Sequence, residues 1–272
     1  MATLSTGLRP EWLALREGAD AGARAVGLLD PLRSWFARRS DAGLIIRDLG
    51  CGTGSMGRWL SGRLPRPQHW ILHDRDHDLL DRAVGALPGM VSVSGEPGDI
   101  TELRAADLAG TSLVTASALL DLLTAAEVVR LADACAAAGC PALLTLSVLG
   151  RAELDPADPL DEEIAAAFNA HQRREVAGRR LLGPDAFDVA IGAFSRKSVV
   201  YRQPSPWRLG PADAALTEEW LRGWVAAATE HRPDLEPAAR PYLARRLAAN
   251  AAGRLRVVVE HGDLLALPEV DS

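Results

Sequence analysis

The segment Asp48-Leu49-Gly50-Cys51-Gly52-Thr53-Gly54 concentrates the features that ligand chemistry needs. Glycine at every second position allows a tight turn and lets a ligand approach the backbone, because no Cβ stands in the way. An acid, Asp48, precedes the first glycine by two positions. The spacing is GxGxG. It departs from the dinucleotide fingerprint GxGxxG, which needs glycine where Ser55 stands. The cysteines, Cys51, Cys135 and Cys140, are odd in number and contain no CxxC pair, so neither a zinc site nor a disulfide framework is expected.

A glycine turn is useful only if a strand and a helix hold it. Leu44 to Leu49 reads as that strand and Ser55 to about Leu64 as that helix. The rhythm then repeats. Strands are expected at Trp70–His73, Met90–Ser94, Ser112–Ala116 and Ala142–Leu149. Helices are expected at about 77–85, 102–108 and 125–138. Such alternation predicts a doubly wound, mostly parallel α/β sheet with crossover helices. Residues 11 to 39 read as helix. After Leu149 the rhythm breaks into an Asp/Pro-rich turn and a polar helix through Phe168, Asn169, His171 and Gln172. Helix 184–194 and strand Ser198–Arg202 resume it. A helical stretch follows over about 211–252, and Arg254–Glu260 closes as a strand.

The acid-GxGxG turn in its strand–turn–helix setting resembles motif I of class I S-adenosylmethionine-dependent methyltransferases, and three companions follow in register. Asp74 ends the second expected strand, where the resemblance implies a carboxylate accepting from a ribose diol; Asp76 is the rival by a register slip, or caps the next helix. Asp99 and Ile100 lie where the family places an acid at the adenine amino group and an apolar residue on the ring, with helix capping the alternative for Asp99. Ser117 ends the fourth-strand motif, beside the methionine part and the methyl. The resemblance covers residues 44 to 149 well and implies a seven-stranded Rossmann-like sheet. The implied cofactor contacts are Asp48, Gly50, Cys51, Gly52, Gly54, Asp74, Asp99, Ile100 and Ser117.

Ligands of open α/β sheets sit beyond the carboxyl ends of the strands. Segments 151–183 and 203–253 are expected to leave that rim as lid insertions, with residues 1–40 as a helical cap and 41–150 as the cofactor-binding core of one domain spanning 1–272. An enclosed pocket of this kind suits a small-molecule acceptor. Methyl transfer is an in-line displacement, and a hydroxyl nucleophile gains from a general base. Asp121, four residues past Ser117, and His171 are the candidate bases; Asp121 has helix capping as its alternative. Asn169 and Trp207 are candidate substrate contacts, with core packing the alternative for Trp207. These bases favour O-transfer slightly. A methyltransferase fold that uses its cofactor without methylation is the second reading.

Composition narrows the partners. The chain has 272 residues, of which 48% are hydrophobic and 24% charged, with a net charge of −6. An acidic balance disfavours sequence-independent binding to nucleic acid phosphates. No apolar run approaches the ~18 residues of a membrane span, and the N-terminus lacks the pattern of a signal peptide. A cytoplasmic protein is the expectation; the oligomeric state is not readable. Lys197 is the single lysine among 30 basic residues, so any functional arginine is hidden among neutral ones.

Overall fold

Strand β1 (Leu44–Leu49) is apolar except at Arg47 and Asp48, and its last four residues are buried, as expected for a central strand covered on both faces. A computed structural model describes residues 9–38, 43–65, 67–87, 89 and 91–269. Helices α1 (Pro10–Ala23) and α2 (Leu29–Ala37) precede β1. The chain continues through α3 (Ser55–Leu60), β2 (Gln68–Asp74), α4 (His77–Ala86), β3 (Ser92–Pro97), β4 (Leu113–Ser117), α5 (Ala125–Ala137) and β5 (Ala142–Asp155). Helix α6 (Asp161–Gln172), the short hairpin β6 (Glu175–Val176) and β7 (Arg179–Arg180), and α7 (Ala186–Phe194) follow. Then come β8 (Ser198–Pro204), β9 (Trp207–Leu209), α8 (Ala214–His231), α9 (Glu236–Ala251) and β10 (Arg256–Pro268).

The sheet order is β3-β2-β1-β4-β5-β10-β8, with β9 also paired to β10. Strands β1 to β5 pair in parallel, and β10 runs antiparallel to both β5 and β8. The expected seven-stranded, mostly parallel sheet is therefore present, with β9 as an eighth strand. Its order reverses between β1 and β4, so the crevice beyond their carboxyl ends is the switch point where such sheets bind ligands.

Three clusters make the core. Leu49, Val114, Leu144 and Phe194 join others between the sheet and α5 and α7. Ile46, Trp59, Trp70 and Leu32 pack on the opposite face, under α2, α3 and α4. The third cluster lies beyond the rim and holds Trp207, Leu221, Trp224, Tyr242 and Val257, with Trp12 of α1 against it.

Several elements depart from the sequence expectation. The helix expected over 11–39 is broken at Arg24 and Ala25, whose ψ values of 131° and 90° are extended; residue 39 lies outside the described residues. A tertiary contact fixes this break, since the Ala25 N–H donates to the buried Asp263 carboxylate at 2.8 Å. Pro31 lies in the first turn of α2, where its missing N–H costs no intrahelical bond. The strand expected to end at Leu149 continues to Asp155, and β10 runs on to Pro268 instead of ending at Glu260. These two long strands pair from Arg256↔Asp155 to Ala266↔Ala142 and carry the third cluster beyond the rim. Strand β3 runs Ser92–Pro97, later than expected, and Met90 lies outside the described residues.

Candidate functional site

The glycine turn closes directly beyond β1. Gly50 and Gly52 adopt φ of +62° and +54°, a region that disfavours side chains. A Cβ at Gly50 would stand 2.9 Å from Leu119 Cδ1, and one at Gly52 would stand 3.2 Å from Leu13 Cδ1 of α1. The turn is tied to β2 by two bonds. The Cys51 N–H donates to the His73 carbonyl at 2.9 Å, and the Gly52 N–H donates to Asp74 Oδ2 at 2.9 Å. The Cys51 thiol is buried and its pKa is pushed up by burial, so its role is backbone and volume, not nucleophilic chemistry.

The acids at the end of β2 separate cleanly. Asp76 caps α4, accepting from the Asp78 and Leu79 N–H groups. Asp74 stands at the rim beside Gly52, and its other oxygen accepts from the Asp76 N–H at 3.0 Å. Farther along the rim, Asp99 is exposed and caps a short turn through the Thr101 N–H at 2.8 Å, while Ile100 packs against the cluster on the α5 side.

Two buried ionisable side chains, Asp48 and Arg24, do not form an ion pair with each other. Asp48 is 1% exposed. Its Oδ1 accepts from Thr115 Oγ1 at 2.6 Å, whereas Oδ2 has no hydrogen-bond partner among the described residues. Burial pushes its pKa up to about 7, against the pull of the Thr115 bond and of Arg24. Arg24 is 3% exposed, and its Nη2 donates to Ser55 Oγ and to Ser117 Oγ, each at 3.1 Å. Its Nε and Nη1 have no partner among the described residues. Burial lowers its pKa, and the cation stacks 5.5 Å from the Trp59 ring centroid. Ser117 Oγ also accepts from Thr145 Oγ1 at 3.1 Å. Sequence reasoning missed Arg24, and nothing in its local pattern distinguishes it from the other arginines.

Helix α1 lies over this arrangement. Glu17 holds Arg58 of α3 through two bonds of 2.7 and 2.6 Å, and that guanidinium lowers the Glu17 pKa. Arg16 pairs with the buried Asp20 at 2.9 Å and lies 5.0 and 5.9 Å from the ring centroids of Trp207 and Trp12. Trp207 is buried, donates from Nε1 to Asp20 Oδ1 at 3.0 Å, and packs against His261. Burial brings the His261 pKa down to about 4, so this ring is neutral.

The other expected site residues lie around the lid. Asp121 is half-buried as a residue, but its carboxyl is deep enough that burial raises its pKa to about 6, while Arg16 and Arg174 draw it down. His171 is 4% exposed and points toward α8, with Nε2 at 3.6 Å from Glu230 Oε2 and no hydrogen bond on either ring nitrogen. Burial lowers its pKa, so it too is neutral at pH 7. Asn169 uses its amide to donate to the Gly150 carbonyl at 2.7 Å, fixing the bend in β5 where Gly150 has φ +71°. The structure thus gathers Asp48, Gly50, Cys51, Gly52, Asp74 and Ser117 at one turn and adds Ser55 and Arg24. Asp121 lies in the short turn after β4, four residues beyond Ser117, while Asn169 and His171 belong to the packing of α6.

No protein-family profile and no curated protein matches the sequence. Solved structures do resemble the fold. One is an S-adenosylmethionine-dependent methyltransferase from Geobacter sulfurreducens in complex with S-adenosylhomocysteine, at TM-score 0.46 and 15% identity, covering 96% of this chain and 99% of that one. A second is the cyclopropane synthase MmaA2 from Mycobacterium tuberculosis, at TM-score 0.46 and 11% identity, covering 82% and 78%. A third is phosphoethanolamine N-methyltransferase 2 from Haemonchus contortus, at TM-score 0.46 and 12% identity, covering 98% of this chain and 59% of that one. The strand order, its reversal between β1 and β4, and the antiparallel β10 make this a doubly wound, mostly parallel Rossmann-like sheet. Among the described residues no helix is long and apolar enough to cross a membrane.

Proposed function

We propose that this chain is a class I methyltransferase, moving a methyl group from S-adenosylmethionine to a polar small-molecule acceptor. One observation carries the reading. The unpartnered Oδ2 of Asp48 and the unpartnered edge of Arg24 flank the glycine turn, both buried. Leaving such groups unsatisfied costs several kcal/mol in order of magnitude, and a ligand that partners both would recover that cost. An amino-acid tail does so, with its ammonium at Asp48 and its carboxylate at Arg24.

The remaining contacts extend the same fit. Each Asp74 oxygen accepts one backbone N–H and keeps a lone pair for a ribose hydroxyl. Gly50 and Gly52, both at positive φ, would lie against the adenosine, whereas the space at Gly54 is filled by Ala83 and Leu87; Asp99 and Ile100 would hold the adenine. When bound, the cofactor supplies an electrophilic methyl on a sulfonium; the protein's task is alignment and exclusion of water.

Asp121, ionised above about pH 6, takes the proton from an acceptor hydroxyl, which favours O-transfer. Trp207 forms a wall with Arg16, and His171, whose ring points toward α8, supports the lid through packing. Asn169 supports the substrate side by holding Gly150. Within 1–40, 151–183 and 203–253, the described residues would act as the cap and lid over the described part of the core 41–150.

The test pairs calorimetry of S-adenosylhomocysteine binding with mass analysis of products from a metabolite pool given methyl-labelled cofactor. Binding together with a labelled product is the expected result. Absence of binding overturns the reading, and binding without turnover favours use of the cofactor without methylation.

A further inference from the structure

Asp263 of β10 is 1% exposed, and its carboxylate joins three segments that are distant in sequence. Oδ2 accepts from the Ala25 N–H at 2.8 Å. Oδ1 accepts from the Leu146 N–H at 2.7 Å and from the Ser205 hydroxyl. Ala25 lies at the break between α1 and α2, Leu146 lies in β5, and Ser205 lies between β8 and β9.

The first two of these bonds close a ring through the candidate site. Ala25 directly follows Arg24, whose Nη2 donates to Ser117 Oγ at 3.1 Å. Ser117 Oγ accepts in turn from Thr145 Oγ1 at 3.1 Å, and Thr145 directly precedes Leu146. The ring therefore runs from Asp263 through Ala25, Arg24, Ser117, Thr145 and Leu146 back to Asp263.

The β5 backbone bends at the same point. Between the pairs Ser147↔Gly262 and Leu144↔Leu264, two residues of β5, Thr145 and Leu146, stand opposite Asp263 alone, which is a β-bulge. Leu146 takes φ +56°, a left-handed conformation that costs any residue with a Cβ. The bond from its N–H to Asp263 holds it there. Thr145 keeps its register with Ser117 of β4, so their hydroxyls meet.

We propose that Asp263 is a positioning residue for the cofactor. By holding Ala25 and Leu146 it sets the bond between Arg24 and Ser117, and with it the edge of Arg24 that receives the cofactor carboxylate. Asp263 spends its acceptors on the protein and acts through Arg24. The inference rests on the methyl-transfer reading, since it concerns the amino-acid tail of the cofactor at that same site.

The experiment titrates the full chain calorimetrically with S-adenosylhomocysteine and with methylthioadenosine, which lacks the tail. In Asp263→Asn the one carbonyl oxygen can still serve Leu146 and Ser205, which leaves an amide NH2 against the Ala25 N–H. This variant weakens S-adenosylhomocysteine by about tenfold, the scale of one charge-assisted bond, and changes methylthioadenosine by less than about twofold. In an Arg24→Gln background the same substitution costs S-adenosylhomocysteine less than about twofold more, because the residue it acts through is gone. Where Asp263→Asn does not fold, an ester in place of the Arg24–Ala25 peptide bond removes only the Ala25 N–H and is read in the same way. Equal losses for the two ligands, a full loss that persists beside Arg24→Gln, or unchanged affinity each overturns the proposal. The unaltered chain separates the two failures. If it binds S-adenosylhomocysteine and the variants behave otherwise, only the positioning role is lost; if it does not bind, the methyl-transfer reading is lost as well.

Discussion

Arg24 Nη2 donates to Ser117 Oγ at 3.1 Å, although 93 positions separate the two residues. The bond joins the break between α1 and α2 to the carboxyl end of β4, and it leaves Nε and Nη1 of Arg24 for a ligand. Arg24→Gln should weaken S-adenosylhomocysteine binding by about 1–3 kcal/mol, the range for hydrogen bonds to charged groups. Methylthioadenosine has no amino-acid tail, so its affinity should be nearly the same in both proteins. Calorimetry with the two ligands checks this. Equal losses for both would show that Arg24 shapes the turn and does not bind the carboxylate.

Asp48 links stability to cofactor binding. Burial raises its pKa from an ordinary 3.8 to about 7, so the folded chain holds a proton there that the unfolded chain releases. A raised folded pKa gives stability that is complete below the unfolded pKa and lost as pH rises through the folded one. The ligand-free protein should therefore lose stability between about pH 4 and pH 7. Asp263 and Asp121, both also raised by burial, slope the same way. Asp48→Asn removes its own share and should stabilise the ligand-free protein at pH 8 by on the order of a few kcal/mol. The same substitution should weaken S-adenosylhomocysteine binding. Thermal melts from pH 4 to 9 with and without ligand test both halves, and a destabilised Asp48→Asn protein at pH 8 would contradict the first.

Asp121 should leave a signature in the rate. Its pKa of about 6 places the ionised base above that value, so kcat/KM for a hydroxyl acceptor should rise through about pH 6 and then level. Asp121→Asn should lower kcat by roughly 10²–10⁴-fold, the span of general-base contributions, and flatten the acid limb. Cofactor affinity should change little. A variant that keeps both rate and profile would assign Asp121 to the start of the following helix instead.

Much of this was legible in the residues. The five parallel strands and the glycine turn follow from short apolar runs and glycine spacing, which are local signals. The contest between Asp74 and Asp76 was open in sequence because strand register is set by pairing with neighbours; the β2–β1 pairing of His73 with Leu49 ends the strand at Asp74, and Asp76 caps α4. Elements whose length depends on a distant partner were not legible. The outer half of β5, Arg-Ala-Glu-Leu-Asp, alternates as a strand should, yet only pairing with β10 keeps it extended. The same holds for β9, which exists because Trp207–Leu209 lies against Val257–Val259. The break at Arg24 and Ala25 depends on Asp263, more than two hundred residues away. Arg24 itself is unremarkable in a chain with almost no lysine. Its meaning comes from burial, which sequence pattern does not record.

The two acids at the end of β2 offer the sharpest separation of binding from folding. Asp74→Asn keeps the shape of the side chain but removes the charge that a ribose diol would use and turns an amide NH2 onto one of the two backbone N–H groups, so cofactor affinity should fall by at least about 1–3 kcal/mol. Asp74→Ala should lose that and more, because it also frees the Gly52 and Asp76 N–H groups and loosens the glycine turn. Asp76→Ala should behave in the opposite sense. It removes the cap of α4 and should cost about 0.5–2 kcal/mol of stability, with cofactor affinity retained. Calorimetric affinity and denaturant midpoints for the three variants complete the comparison. Lost affinity in Asp76→Ala, with Asp74→Asn unaffected, would move the ribose contact from Asp74 to Asp76.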